Sequence, residues 1–277
     1  SWEKGKGYYL ALPNDFSSCQ LIVQQYQPFF NHPGIEKIGH NLKYDIKVLL
    51  KYGISVAAPI YDTMIAHYLI NPDMRHNMDV LAETYLQYTP QSITALIGKK
   101  GKNQLSMRQV PVAQQTEYAV EDADVTFQLK QHFSQELASG GTQELFDSVE
   151  LPLVPVLTAM EAEGICLDTP FLKNLSVELQ TDIDALEKGI YEQAGETFNL
   201  AAPKQLGPIL FDKLKLVDKP KKTKTGQYST AEDVLSYLAK DHPIVDNILE
   251  WRSLQKLQNT YVTALPHEIN PKTGRIH

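Results

Sequence analysis

The chain has 277 residues, 43% of them hydrophobic, and a formal charge of −7. That is enough for two globular domains with real cores, and too acidic for uniform nucleic-acid binding. No apolar run reaches the ~18 residues of a membrane helix, residues 1–7 lack a signal-peptide layout, and two cysteines without a Cys-x-x-Cys or a His cluster exclude a disulfide framework and argue against zinc, which makes a reducing cytoplasm the expected location.

Residues 7–13 read as a strand closed by Pro13-Asn14-Asp15, and 17–30 as a helix stopped by Asn31-His32-Pro33-Gly34. A strand at 36–39 leads into a helix over 42–52. A second strand at 56–61 leads into a helix capped by Asp62 and Thr63 that runs to Leu69. Helices over 78–86 and 92–97 follow, then a basic loop at 98–102 that reads as solvated. A long helix spans 112–137. Early strand–helix alternation followed by helices predicts an α/β sheet with helices on its faces. Gly140-Gly141 mark a boundary, giving domains over 1–138 and 139–277.

Beyond the boundary the pattern is helical. Pro152 and Pro155 bend a helix over 143–163. A helix over 169–193 starts with Thr169 as cap and Pro170 in the first position. Shorter helices cover 203–214 and, behind a capping box of Ser229 and Glu232, the stretch to Lys240. A last helix over 244–264 uses Trp251 and Tyr261 as packing anchors. From 200 to 277 there are 12 Lys and Arg against 8 Asp and Glu, so the acidity lies in the first part. The loop 219–230 carries Lys221, Lys222 and Lys224; it is either a solvated loop or a grip on phosphates that reads no sequence. Arg252 and Lys256, four apart, face the same choice.

Two pairs carry chemistry. Tyr118 and Asp122 are four apart in the long helix, so they share a face. A phenol donor beside an acceptor-only carboxylate can hold a cation and orient a water; the plain alternative is packing for Tyr118 and a solvated face for the acids. Asn41 and Asp45 have the same spacing where a helix leaves a strand end, a common place for sites in α/β folds. The alternative for Asp45 is ordinary stabilisation of a helix N-terminus.

His40 to Leu50 and Tyr118 to Thr126 resemble the second and third motifs of the 3′→5′ proofreading exonuclease domain in the bacterial DNA polymerase I family. Between them Tyr61-Asp62-Thr63-Met64, Arg75-His76-Asn77-Met78-Asp79 and Gly101-Lys102-Asn103-Gln104-Leu105 are similar to that family's pattern, in order. Met160 to Ile165 and Asn270 to His277 resemble the start and end of its thumb region, so the resemblance covers nearly the whole chain. It implies an α/β ribonuclease H-like 3′→5′ exonuclease domain followed by the mostly α-helical thumb region of a family A DNA polymerase.

The resemblance also implies roles. Two Mg²⁺ or Mn²⁺ ions need hard oxygen ligands. Asp122 would ligate the metal holding the attacking water, Tyr118 would orient that water, and Asp45 would act on the other metal through its waters. Asn41 and Arg75 would place the terminal nucleotide or its phosphate. Asp124 points off that face, and Asp62 reads as a helix cap before a ligand. The partner is DNA, a frayed 3′ end at the nuclease site and duplex at the thumb, in the bacterial cytoplasm near the nucleoid, with no membrane. The family's first motif, an Asp-x-Glu on a strand, has no counterpart before His40. The expectation is therefore a piece cut at both ends, with weak metal affinity and little turnover. The alternatives are a catalytically inactive DNA-binding scaffold and a stand-alone RNA-processing exonuclease, the latter disfavoured by the thumb-like region.

Overall fold

Two three-residue strands, β1 (Lys37–Gly39) and β2 (Ile60–Asp62), pair in parallel with Ile38 opposite Tyr61 and Gly39 opposite Asp62. The structure, a computed structural model, describes residues 1–277 and divides into two units, Ser1–Glu163 and Gly164–His277. In the first, α1 (Phe16–Gln24) and α2 (Gln27–Phe30) precede β1, and α3 (Leu42–Leu50) crosses over to β2. After β2 come α4 (Thr63–Ile70), α5 (Met78–Leu81) with a π-helical turn over Ala82–Leu86, α6 (Ile93–Ile97), the long α7 (Val112–Gly140), α8 (Gln143–Leu145) and α9 (Leu151–Glu163).

The core of this unit lies under α7. Val125, Leu129, Phe133 and Leu137 recur every four residues, so they form one buried stripe. They meet Ala66, Leu81 and Phe146, and the Tyr61 ring sits edge-on to Phe146 at 4.9 Å. A second cluster joins Leu42 and Ile46 of α3 to Val154 of α9. Lys43 and Lys47, one turn apart, both reach Glu161 at 2.6 and 2.8 Å and brace the same two helices.

Several expectations change here. Residues 7–13 form no strand, because a strand exists only with a partner and β1 and β2 pair only with each other. The second strand starts at Ile60 rather than 56, since Pro59 has no N–H to give the ladder. The expected helix over 17–30 is two, divided just before Pro28. The stretch 143–163, placed by sequence with the second domain, packs in the first unit through Phe146 and Val154.

The second unit is helical. Its main elements are α10 (Thr169–Ala194), α11 (Pro203–Pro208), α12 (Glu232–Leu238) and α13 (Pro243–Lys256). Ile183 and Ile190 of α10 share one core with Leu206, Leu235, Val245, Ile248 and Trp251. Asp168, not Thr169, caps α10: its carboxylate accepts from the Phe171 N–H at 2.9 Å, leaving Thr169 and Pro170 in the first turn. The predicted capping box does not form. Ala231 is the N-cap of α12 with no side-chain bond, and Ser229 and Thr230 are buried instead. Trp251 is an anchor at 7% exposure; Tyr261, 48% exposed, is not.

Candidate active site

Asp62 organises the site as a helix cap. It ends β2, is 1% exposed, and accepts from Met64 N–H at 2.8 Å and Ile65 N–H at 3.3 Å, capping α4. The same carboxylate accepts from Asn41 N–H at 3.2 Å and Leu42 N–H at 2.7 Å at the start of α3. One buried anion therefore satisfies the orphan donors of two helices. It also fixes Asn41 in the left-handed region, φ 63° and ψ 50°, which asparagine tolerates better than most residues. The turn from β1 to α3 is thus set by a residue 20 positions later in the chain.

Asp45 follows in the first turn of α3. Burial, then the nearby Asp62 charge, pushes its carboxyl up to about 6, although the residue as a whole keeps an exposed edge. Asp122 on α7 is also pushed up to about 6 by burial, against the Tyr118 hydrogen bond that lowers it, with Glu121 and Asp79 adding repulsion. Tyr118 is raised to about 12, first by burial and then by Asp122. The phenol stays protonated and the helical spacing delivers the expected pair. Asp124 turns away, accepting from Gly5 N–H at 2.9 Å and from Gln128 at 2.8 Å, and Glu121 is held by Tyr88 and the Gln91 N–H.

Asp45 and Asp122 have different charged neighbours. Asp45 faces Asp62, while Asp122 faces Tyr118 and Asp79. No three Asp, Glu, His or Cys side chains converge as a metal-binding group. The chemistry of each carboxylate nevertheless fits a hard cation. Both are desolvated anions with no ion-pairing Lys, Arg or His, and Mg²⁺ or Mn²⁺ takes oxygen ligands. Asp79, in the first turn of α5, is the charge the sequence reading left without a role. Its place four residues after Arg75 was the available signal.

Arg75 is exposed in the loop between α4 and α5, with no carboxylate in ion-pair range. In the second unit the loop 219–230 is a folded hairpin tip. Thr223 N–H donates to the Gln227 carbonyl and Ser229 N–H to the Lys221 carbonyl, both at 2.8 Å, with Gly226 at φ 83°. Lys221 pairs with Asp233 at 3.2 Å and Lys222 lies over the Tyr228 ring at 5.0 Å. Lys224 alone of the three is left without a partner at the tip. Arg252 is spent internally, donating to the Thr230 carbonyl at 2.6 Å and the Thr230 hydroxyl at 3.2 Å.

Known proteins match both units. A 3′-5′ exonuclease model matches residues 1–138 and a DNA polymerase family A model matches 169–277. DNA polymerase I of Pseudomonas aeruginosa is 40% identical over 274 residues, 97% of this chain and 30% of that protein. DNA polymerase I of Chloroflexus aurantiacus is 40% identical over 265 residues, 94% of this chain and 28% of that protein. This chain thus spans about 30% of the length of these curated relatives. A solved structure, the POL domain of Pol1 from M. smegmatis in complex with DNA primer-template and dNTP, superimposes with a TM-score of 0.71 at 30% identity. It covers 92% of this chain and 41% of that one.

Proposed function

The chain belongs to the DNA polymerase I family, and from that premise we propose that its first unit supplies a metal-dependent 3′→5′ proofreading exonuclease and its second the DNA-gripping thumb. Exonuclease and family A polymerase parts occur in one polypeptide, and such parts are generally metal-dependent. The observation that carries the reading is the Tyr118–Asp122 pair on one face of α7: a protonated phenol beside a desolvated carboxylate that no Lys, Arg or His neutralises. When bound, two Mg²⁺ or Mn²⁺ ions would activate a water and neutralise charge on the leaving oxygen. Asp122 and Asp45 would offer oxygen ligands. Tyr118 would hydrogen-bond the water and fix its direction, since its proton stays on at any working pH. Asn41, its backbone pinned by Asp62, would present its amide to the terminal nucleotide, and Arg75 would take a phosphate. Lys221, Lys222 and Lys224 would track the duplex backbone. A paired end has to unpair to enter such a site, and a mismatched end does so at the least cost, which selects errors for removal.

The ribonuclease H-like topology belongs to the same reading. Its support is the parallel β1–β2 pair, the α3 crossover and α7 packed against β1. The exonuclease and thumb regions over 1–138 and 139–277 of the sequence, with 143–163 packed in the first unit, and a place at the bacterial nucleoid belong to that reading; no helix is long and apolar enough to cross a membrane. A second reading, a DNA-binding scaffold without turnover, has one observation in its favour: three metal-binding side chains do not converge. The deciding experiment is degradation of a 5′-labelled oligonucleotide with a frayed 3′ end, in Mg²⁺ and in Mn²⁺. It compares this chain with one extended upstream to carry an Asp-x-Glu strand. Activity from the 3′ end in the extended form, reduced about 100-fold or more by Asp122→Ala, is expected. Degradation indifferent to Asp122→Ala would overturn the assignment, and inactivity of both forms would favour the scaffold.

A further inference from the structure

Three histidines and a tyrosine behind the Arg75 loop are used by nothing described so far. His67 lies in the last turn of α4 and is 0% exposed. Its Nδ1 lies 2.7 Å from His76 Nδ1, and its Nε2 lies 3.0 Å from the Tyr85 hydroxyl. Tyr85 sits in the π-helical turn after α5, an irregularity that re-aims a side chain. The one hydrogen bond of the Tyr85 hydroxyl is to the His67 ring. A phenol is a better donor than acceptor and an imidazole nitrogen a good acceptor, so Tyr85 donates to His67 Nε2. His67 then carries its proton on Nδ1 and donates it to His76 Nδ1. His76, accepting at Nδ1, presents its N–H at Nε2. Burial, then the neighbouring His76 and His40, hold His67 down to about 4, which keeps the chain neutral. His40 closes the far side: its Nδ1 is 2.9 Å from the Thr63 hydroxyl, which donates to the Gly39 carbonyl.

The product is one fixed N–H, without a partner in the protein, on a half-buried ring next to an exposed guanidinium. We propose that His76 is a second DNA-contacting residue beside Arg75, donating its Nε2–H to a backbone phosphate of the single strand, with Tyr85 and His67 as positioning residues that fix its tautomer. This rests on the exonuclease reading only in taking Arg75 as facing DNA. A neutral donor of fixed direction suits a phosphate oxygen, and it releases no counterion on binding, whereas the arginine does.

The probe is 5′-fluorescein-labelled dT8 in EDTA, read by anisotropy across a salt series with the full chain. Expected is about a five-fold weaker Kd for His76→Ala with an unchanged salt slope, and for Arg75→Ala a weaker Kd with a slope smaller by about 0.7. His67→Phe should weaken binding like His76→Ala, and the double variant should be no weaker than His76→Ala alone. Tyr85→Phe, which keeps the ring, gives the same answer should His67→Phe fold poorly. Long-range ¹H–¹⁵N spectra should show His67 as the Nδ1–H and His76 as the Nε2–H tautomer, with the His76 tautomer becoming mixed in Tyr85→Phe. Affinity unchanged in His76→Ala, effects of His67 and His76 that multiply, or a His76 Nδ1–H tautomer would each overturn the proposal. If only Arg75→Ala weakens binding, the proposal fails and the exonuclease reading stands. If neither variant does, the Arg75 assignment falls as well, while the nuclease itself is judged separately by Asp122→Ala.

Discussion

At the scale of residues the site is held in tension. Asp122 is a carboxylate kept charged at neutral pH in a place that raises its pKa to about 6, against an unfolded value near 3.8. A raised acid pKa means that the ionised form opposes folding; stability rises as pH falls through about 6 toward 3.8. Asp122→Asn removes that opposition, so in metal-free buffer at pH 7.5 its Tm should rise by a few degrees, or about 1 kcal/mol once solvent screening is allowed for. A fall in Tm would mean that the charge is already compensated. Asp62 has the opposite character. Asp62→Ala strips the acceptor from four N–H groups at two helix starts and should cost about 2–4 kcal/mol in denaturant unfolding, with a milder loss for Asp62→Asn. A loss under about 1 kcal/mol would show that water replaces the carboxylate. The i, i+4 spacing made Tyr118–Asp122 and Asn41–Asp45 legible in the sequence. The reach of Asp62 to Asn41 and Leu42 was not, because it links residues about 20 apart through a parallel strand pair whose register no local pattern states.

Among the elements, the strongly periodic ones were read most closely. α7 and α10 carry buried residues at helical spacing over many turns and emerge within a few residues of their expected ends. Short strands were read worst, since strand pairing is a property of the partner and not of the segment. Capping followed geometry rather than residue type alone: Asp168 reaches Phe171 N–H, while Ser229 and Thr230 are drawn inward by packing and by Arg252. Asp168→Ala should therefore cost about 1 kcal/mol, and Thr169→Ala close to nothing, as read from urea midpoints. The assignment of 143–163 to the first unit is equally open to test. Phe146→Ala leaves a cavity beneath α7 and should destabilise that unit by about 3–5 kcal/mol. A change confined to the second unit in hydrogen exchange would return the segment to its sequence-based place. In the hairpin over 221–229, Lys224 is the lysine that pairs with no carboxylate or ring, and the proposed function gives it to the DNA backbone. Lys224→Ala should weaken duplex binding evenly across sequences and lower the salt slope by about 1, whereas Lys221→Ala, already paired with Asp233, should change the slope less.

For the whole molecule, the acidity lies in the first part and a basic excess in the tail, which under the proposed function suits a cation site in one and phosphate contacts in the other. Family membership rests on motifs in order along nearly the whole length, and that order was visible without a structure. The structure added how the site is braced: Asp62 across two helix starts, Glu161 across α3 and α9, and the histidine chain behind Arg75. The central claim is that Asp45 and Asp122 serve one divalent-cation centre. The most direct test is paramagnetic broadening of backbone amides on titrating Mn²⁺ into this chain, which reads weak binding and needs no turnover. Selective broadening at 41–46 and 118–123 together, lost at both in Asp122→Asn, is the predicted result. Broadening centred elsewhere, or at one segment without the other, would contradict a shared centre.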